Sequence, residues 1–445
     1  MKLWDKGNKV NDFVEYFTVG NDRKMDLQLA EHDVLGSIAH AIMLNDIGLL
    51  SDSDIKLLHK ELVSIISDIR KGNFKIEEGI EDIHSQIEHI LTLRLGETGK
   101  KIHSGRSRND QVLVDIRLYL RQKVKDICVE TKKLFNQFIM LSNQYKEILI
   151  PGYTHFQVAM PSSFGLWFGA YAESLADDLL FILAAYKVIN QNPLGSAAGY
   201  GSSFPLNRTL TTQLLGFDDL NFNVVYAQMG RGKTEKSLAF AMSSVAATLS
   251  KFAMDACLFM SQNFNFISFP EELTTGSSIM PHKKNPDMFE LIRAKCNRIQ
   301  NMPADVSSVI INLPSGYHRD FQLLKEILFP AIENLELSIR ASALMLNGIK
   351  VNTDIISDEK YLYTFSVEEV NKLVLNGTPF REAYKIVGAQ IQEGKFNPEK
   401  KVNHIHEGSI GNLCNDEISR KFEDVFSQFN FEKFEIALKK LEQLK

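Results

Sequence analysis

A chain of 445 residues, 44% hydrophobic and 24% charged, has the apolar content of a globular protein with more than one structural region and excludes a disordered polymer. Fifty basic against 55 acidic side chains leave a net charge of -5, which excludes a global attraction to nucleic acid or to an anionic membrane; any anion site is local. The four cysteines, Cys128, Cys257, Cys296 and Cys414, are widely spaced, form no C-x-x-C pair and suit reduced thiols in a cytoplasm, while Met1 to Lys6 lacks an apolar signal core and the longest apolar run, Leu179 to Tyr186, is too short to span a bilayer.

Residues 1–105 read as short helices and loops, with Val34, Ile38 and Met43 roughly on one face and Ile55, Leu58, Leu62 and Ile65 at helical spacing. From Asn109 to about Tyr145, Val112, Ile116, Leu120, Val124, Ile127, Leu134, Phe138 and Leu141 hold a helical period without an internal Gly or Pro, which predicts one long helix. Further long helices are predicted over Ser163 to Asn190, Lys233 to Asn263, Pro286 to about Leu313 and Asp320 to Leu346, with a kink or break at Pro303 and Pro330. The small residues Ala239, Ala241, Ala246, Ala247, Ala253 and Ala256 put the Lys233 helix deep in a bundle, and helices of this length need partners to cover their apolar faces, so a homo-oligomer is expected. Beyond residue 351 shorter helices are predicted at Val367 to Leu375, Arg381 to Glu393 and Phe431 to Leu444. The resulting plan is an N-terminal helical domain (1–105), a central long-helix domain (106–350) and a small C-terminal helical domain (351–445).

Polar loops punctuate these helices. His103 to Gln111 places Arg106, Ser107, Arg108 and Asn109 at a helix start, either an anion-recognition surface or a solvated basic turn. His155, beside Thr154 in the Pro151 to Gln157 turn, is a candidate general acid or base, although a lone loop histidine is more often inert. Pro193 to Gly201 is a glycine-rich bend suited to tight packing or to ligand contact. Gly230 to Thr234 looks like the end of a P-loop, but the first glycine would fall at Ala227 and no strand precedes it, which excludes nucleotide binding. His404-Ile405-His406 lacks a supporting carboxylate or cysteine cluster and is read as surface, so no metal site is expected. The stretch Gly276 to Pro286 combines a glycine hinge, Ser277, Ser278, two prolines, Lys283 and Lys284, and suits a mobile loop that closes on an anion. Asn285 is predicted to cap the following helix, with Pro286 as its first residue; the positive helix end would then share a volume with Lys283, Ser277 and Ser278.

That stretch resembles the signature of the fumarase/aspartase superfamily, G-S-S-x-M-P-x-K-x-N, at every fixed position. Glu81-Asp82-Ile83-His84, Gly105 to Val112, Gly152 to Gln157, Tyr317 with Arg319-Asp320 and Gln322, and Gly377 with Pro379 to Ala383 extend the resemblance over nearly the whole chain, within that superfamily to the argininosuccinate lyases. The resemblance implies an all-α fold with a central bundle of long helices and smaller N- and C-terminal helical domains. It implies a reversible elimination in which argininosuccinate gives arginine and fumarate, without metal or cofactor, in a cytoplasmic homotetramer whose active sites each draw on three subunits. By carry-over Ser277 is the base and His155 the acid, paired with Glu290, while Lys283 and Asn285 hold the carboxylate on which charge builds, with Ser278 beside them. Ser107, Arg108, Asn109 and Thr154 are assigned to the succinyl carboxylates, Arg231 to the anionic site, and Asp26, Tyr317, Gln322 and Lys325 to the amino-acid end. The chain departs from the pattern between Phe17 and Asp26, two residues longer than the family's segment and without its serine, and at His318 and Tyr384. Another fumarate-releasing substrate, such as an N-acylated argininosuccinate or adenylosuccinate, or a non-catalytic structural homologue, are the rival readings.

Overall fold

The computed structural model describes residues 11–443; the Met1 to Lys6 reading and the last predicted helical residue, Leu444, lie outside it. Its centre is the helix Arg108–Gln144, 37 residues long. The Ser107 hydroxyl accepts the Asn109 amide at 3.3 Å, and the Asp110 carboxylate accepts the Ser107 amide at 2.8 Å, so a reciprocal cap starts the helix one residue before the predicted position. Around it stand Phe164–Ile189, Lys233–Met260, Asp287–Ile310 and Leu323–Asn347. One apolar core runs through all five.

Lys233–Met260 is long and apolar enough to cross a membrane by length and composition alone. In the fold it is a bundle helix: Ala239, Ala246 and Ala253 are fully buried and let its neighbours Asp287–Ile310 and Phe164–Ile189 approach closely. Of the kink or break expected at Pro303 and Pro330, a break is excluded: both helices run through their prolines. Each removes one backbone donor, but Met302 and Val306 around the first, and Phe329 and Ile332 around the second, are buried and carry the backbone past the missing bond.

The all-helical expectation holds, with three short two-stranded sheets among the described residues, of which one bears on the site. Leu149–Thr154 and Gln157–Ser163 form an antiparallel hairpin where a plain turn was expected. Thr154 pairs with Gln157, so His155 and Phe156 form a two-residue turn, both left-handed at φ 54° and 58°. The hairpin carries His155 at its tip.

A second core joins Ala30–Asp46, Asp52–Arg70 and Ile83–Leu95 to Leu194, Leu215, Phe217 and Leu441. A third, small one holds Val370, Ala383, Val387 and Phe396. The helix Asn415–Phe426, absent from the sequence reading, returns to the bundle, where Phe422 stacks on Phe135 with ring centroids 4.1 Å apart.

Candidate active site

A cavity of about 200 Å³ opens where the two larger cores meet. Seven of the expected site residues line it: Asp26, Arg108, Asn109, Arg231, Tyr317, Gln322 and Lys325. Arg108 and Asn109 are there because the Ser107 cap turns the chain into the long helix at this point. Arg231 precedes Lys233–Met260, and Lys325 sits in the first turn of Leu323–Asn347.

The charges form two clusters. On one side the Lys325 ammonium lies 2.6 Å from Asp26 and 2.5 Å from Asp22, both pairs largely withdrawn from water. Burial pushes the Asp22 carboxyl up to about 6 against the pull of Lys325, while Asp26 and Asp22 outweigh the burial of Lys325 and raise its pKa. On the other side Arg108 Nη1 lies 3.2 Å from Glu81 and 3.0 Å from Asp82, and Arg319 Nη2 lies 3.0 Å from Glu81. Despite burial, His84 and Arg108 hold Asp82 below the usual carboxylate range.

Two guanidinium groups in this wall are only partly satisfied. Arg231 gives Nε to Glu235 at 2.6 Å and Nη2 to the Phe321 carbonyl at 3.0 Å, but its buried Nη1 has no partner, and neither has the buried Nη2 of Arg108. Four carboxylates, Asp22, Asp26, Glu81 and Asp82, line the same cavity, and these two nitrogens are donors that they leave unused; buried donors of this kind are costly until an acceptor arrives.

The segment that departs from the family pattern is built into this site. Gln322 donates to the carbonyls of Thr18 and Val19, at 3.2 and 3.0 Å, and Arg319 donates to Thr18 at 2.7 Å. Asp22, the second carboxylate on Lys325, comes from that segment. The sequence reading gave no role to Asp22, Glu81, Asp82, His84 or Arg319; the Glu81 to His84 run was the available signal for three of them.

The other expected residues lie elsewhere. Ser277, Ser278, Lys283 and Asn285 belong to a loop outside this cavity, where the Ser277 hydroxyl accepts the Met280 amide at 3.2 Å. Asn285 does not cap the helix, which starts at Asp287. Its amide donates to the Thr275 carbonyl at 2.8 Å and its side chain to the Gly276 carbonyl at 3.2 Å, closing the neck of the loop. The dipole end of that helix is nonetheless next to the loop. His155 lines a different cavity, of about 590 Å³, beneath the hairpin with Tyr153, Trp167 and Asp255. Thr154 is exposed at the end of its strand. Among the described residues no ion pair within the chain joins His155 to Glu290. One chain therefore presents three separated parts of the expected site.

A bundle of long helices with a serine loop at a helix start is the architecture of the fumarase/aspartase lyases, and the similarities to known proteins agree. A family model described as Lyase matches residues 7–301. Proteins named argininosuccinate lyase are similar over almost the whole length: 59% identity over 440 residues with that of Bacteroides thetaiotaomicron, covering 99% of each chain, and 39% over 397 residues with that of Thermotoga neapolitana, covering 88% of this chain and 99% of that one. The chain belongs to the argininosuccinate lyase family, a family of carbon–nitrogen lyases. Among solved structures, an EDDS lyase variant with bound fumarate is similar in fold at a TM-score of 0.75 and 20% identity, covering 98% of this chain and 95% of that one. The class II fumarase of Schistosoma mansoni follows at 0.72 and 16%, covering 95% and 94%.

Proposed function

We propose that the protein splits argininosuccinate reversibly into arginine and fumarate, in a homotetramer whose subunits each lend parts to every active site. The observation that carries the reading is the pair of unsatisfied guanidinium nitrogens on Arg108 and Arg231, in one cavity with Asn109 and the Asp22–Asp26–Lys325 cluster. That mix of free cationic donors and carboxylates suits a substrate that carries both carboxylates and an amino-acid group.

In the proposed chemistry Ser277 takes a proton from the carbon next to a succinyl carboxylate. The electron pair left behind is held as an enolate-like dianion by Lys283, Asn285 and the nearby start of the Asp287–Ile310 helix, then forms the double bond of fumarate as the carbon–nitrogen bond breaks. The departing guanidino nitrogen takes a proton from His155, oriented by Glu290 of the assembled site. Ser107, Thr154 and Ser278 complete the carboxylate contacts, with Asp26, Tyr317, Gln322 and Lys325 at the amino-acid end. Serine is a weak base in water, so this step requires a closed, positive and dry site.

Two features support assembly. The parts of the site are dispersed on one chain, and the bundle helices keep large apolar side chains exposed, among them Phe181, Phe240, Leu291, Leu337 and Leu344. The cysteines, without a disulfide among them, fit a cytoplasmic setting.

The test is the rise of fumarate ultraviolet absorbance on mixing the protein with argininosuccinate, with adenylosuccinate and aspartate in parallel. Signal from argininosuccinate alone is expected. Signal only from another substrate, or from none in a correctly assembled protein, overturns the reading.

A further inference from the structure

Behind the cavity wall lies a buried cluster that the proposed elimination does not use. His84 lines the cavity from the first turn of Ile83–Leu95, while its Nδ1 is hydrogen-bonded to Asp33 and lies 3.5 Å from Asp115. Asp33 comes from Ala30–Asp46 and Asp115 from Arg108–Gln144, so three helices converge on one ring. None of the three side chains is more than 6% exposed. Ser37 donates to Asp33 at 3.3 Å and receives Arg106 Nη1 at 2.9 Å, and one carboxyl oxygen of Asp115 has no partner.

One His and two Asp at this spacing resemble a metal-ligand set. The geometry argues otherwise: the Asp33–His84 hydrogen bond occupies the space between the donors, and the Arg106 guanidinium already stands behind them through Ser37. An anion-backed imidazole facing the cavity fits the geometry better.

We propose that His84 is a further substrate-binding residue, with Asp33 and Asp115 as its positioning residues: Asp33 fixes the ring through Nδ1, so that Nε2–H is presented to an anionic group of the substrate. The inference rests on reading the cavity as the substrate site. A carboxylate behind an imidazole sets both its tautomer and its charge. Burial alone would neutralise His84, but Asp33, together with Asp82 and Asp26, reverses that and raises its pKa. Burial and the negative Asp33 push Asp115 well above the carboxylate range, while His84 holds Asp33 below it despite its own burial. The charged groups around the ring are thus Asp33 from Ala30–Asp46, Asp26 from the preceding short helix, Asp82 at its own helix start, and Asp115 with Arg106 from the central helix and its lead-in; Arg108 and Lys325 share the cavity.

The test is calorimetric binding of fumarate and of arginine, between pH 6 and pH 8.5, to the wild-type assembly and to His84→Asn and Asp33→Asn, with KM and kcat for argininosuccinate alongside. His84→Asn is expected to weaken one of the two products, and to raise KM, by tenfold or more, with kcat within a few-fold and the assembly intact. Asp33→Asn is expected to bind like wild type near pH 6 and to lose affinity above about pH 7, because its imidazole returns toward the ordinary value of about 6.5. Should Asp33→Asn fail to fold, product affinity in His84→Asn, which keeps Asp33, decides the proposal by itself. Unchanged affinity for both products in His84→Asn, or an Asp33→Asn deficit independent of pH, overturns the proposal. Turnover of argininosuccinate by the wild-type protein reports separately on the proposed reaction, and product binding is measurable without it.

Discussion

The backbone amide of Asn285 donates to the carbonyl of Thr275 at 2.8 Å, and this one pairing closes the neck of the loop that carries Ser277 and Lys283. The Asn285 side chain reinforces it through Gly276, and Thr275 in turn donates its hydroxyl to Asp287 at the helix start. The loop thus hangs from a fixed base. Asn285→Ala should lower kcat/KM for argininosuccinate by ten- to a hundredfold with an unchanged melting temperature, since the residue lies at the surface and its loss loosens positioning rather than packing. Wild-type kcat/KM in this variant would mean that the backbone pairing suffices.

Ser277→Ala should leave assembly intact and reduce turnover by several powers of ten, because it removes the proposed proton acceptor while hardly changing volume. Single-turnover measurements of fumarate release check it. Survival of most of the activity would move the base elsewhere.

Lys325→Met leaves Asp22 and Asp26 facing each other without their cation. Removing one partner of a buried ion pair costs about 3–5 kcal/mol, so a clear drop in the denaturant midpoint is expected at pH 8. With its cation gone Asp22 becomes still harder to ionise, so the loss should shrink toward pH 5, where Asp22 protonates. Equal destabilisation at both pH values would argue against the charge account.

His40 is fully buried, with Nε2 donating to the Ser104 carbonyl at 2.9 Å, and burial, aided by Arg106, pulls its pKa down to about 3. The folded state thus binds fewer protons than the unfolded one between about pH 3 and the ordinary histidine value of about 6.5. Its contribution is fully present above pH 6.5 and is lost as pH falls through that window, by up to about 1.4 kcal/mol per unit. His40→Gln should flatten the loss of stability between pH 7 and pH 5, as urea titrations at the two pH values can measure.

If three chains build one site, two inactive variants damaged in different parts should repair each other. Ser277→Ala and Arg108→Ala, denatured together and refolded as mixed assemblies, should recover a sizeable fraction of wild-type turnover, while either refolded alone stays inactive. No recovery from well-mixed tetramers would place all the parts on one chain.

Much of the fold was legible because long helices advertise themselves. About eight turns of apolar spacing from Val112 to Leu141, with Ser107 and Asp110 at the start, leave little else for the chain to do. Asn415–Phe426 was harder: Ile418, Phe422 and Val425 have the right spacing, but the helix begins after Cys414, a left-handed residue with no side-chain cap. The hairpin escaped because its turn is His155-Phe156 rather than a glycine-bearing pair, and because Val158 and Met160 remain exposed, so no strand alternates cleanly into a core. Asn285 was misread for a different reason: its preference for a helix start is a local tendency, and the loop neck offered a better use for its amide groups. The candidate residues could be named from motifs, but motif spacing says nothing about their arrangement in space: one chain brings seven of them to one cavity and leaves the others apart. Nor did it reveal that the segment around Asp22 inserts a second carboxylate beside Lys325.

The hairpin sets a further condition on the protein. Its turn residue Phe156 is 86% exposed, so an isolated chain holds out His155 and a large aromatic ring to solvent with nothing to work on. If that projection completes a neighbour's site, specific activity becomes a function of concentration: dilution below the assembly threshold switches the chemistry off without unfolding a single helix, and crowding restores it.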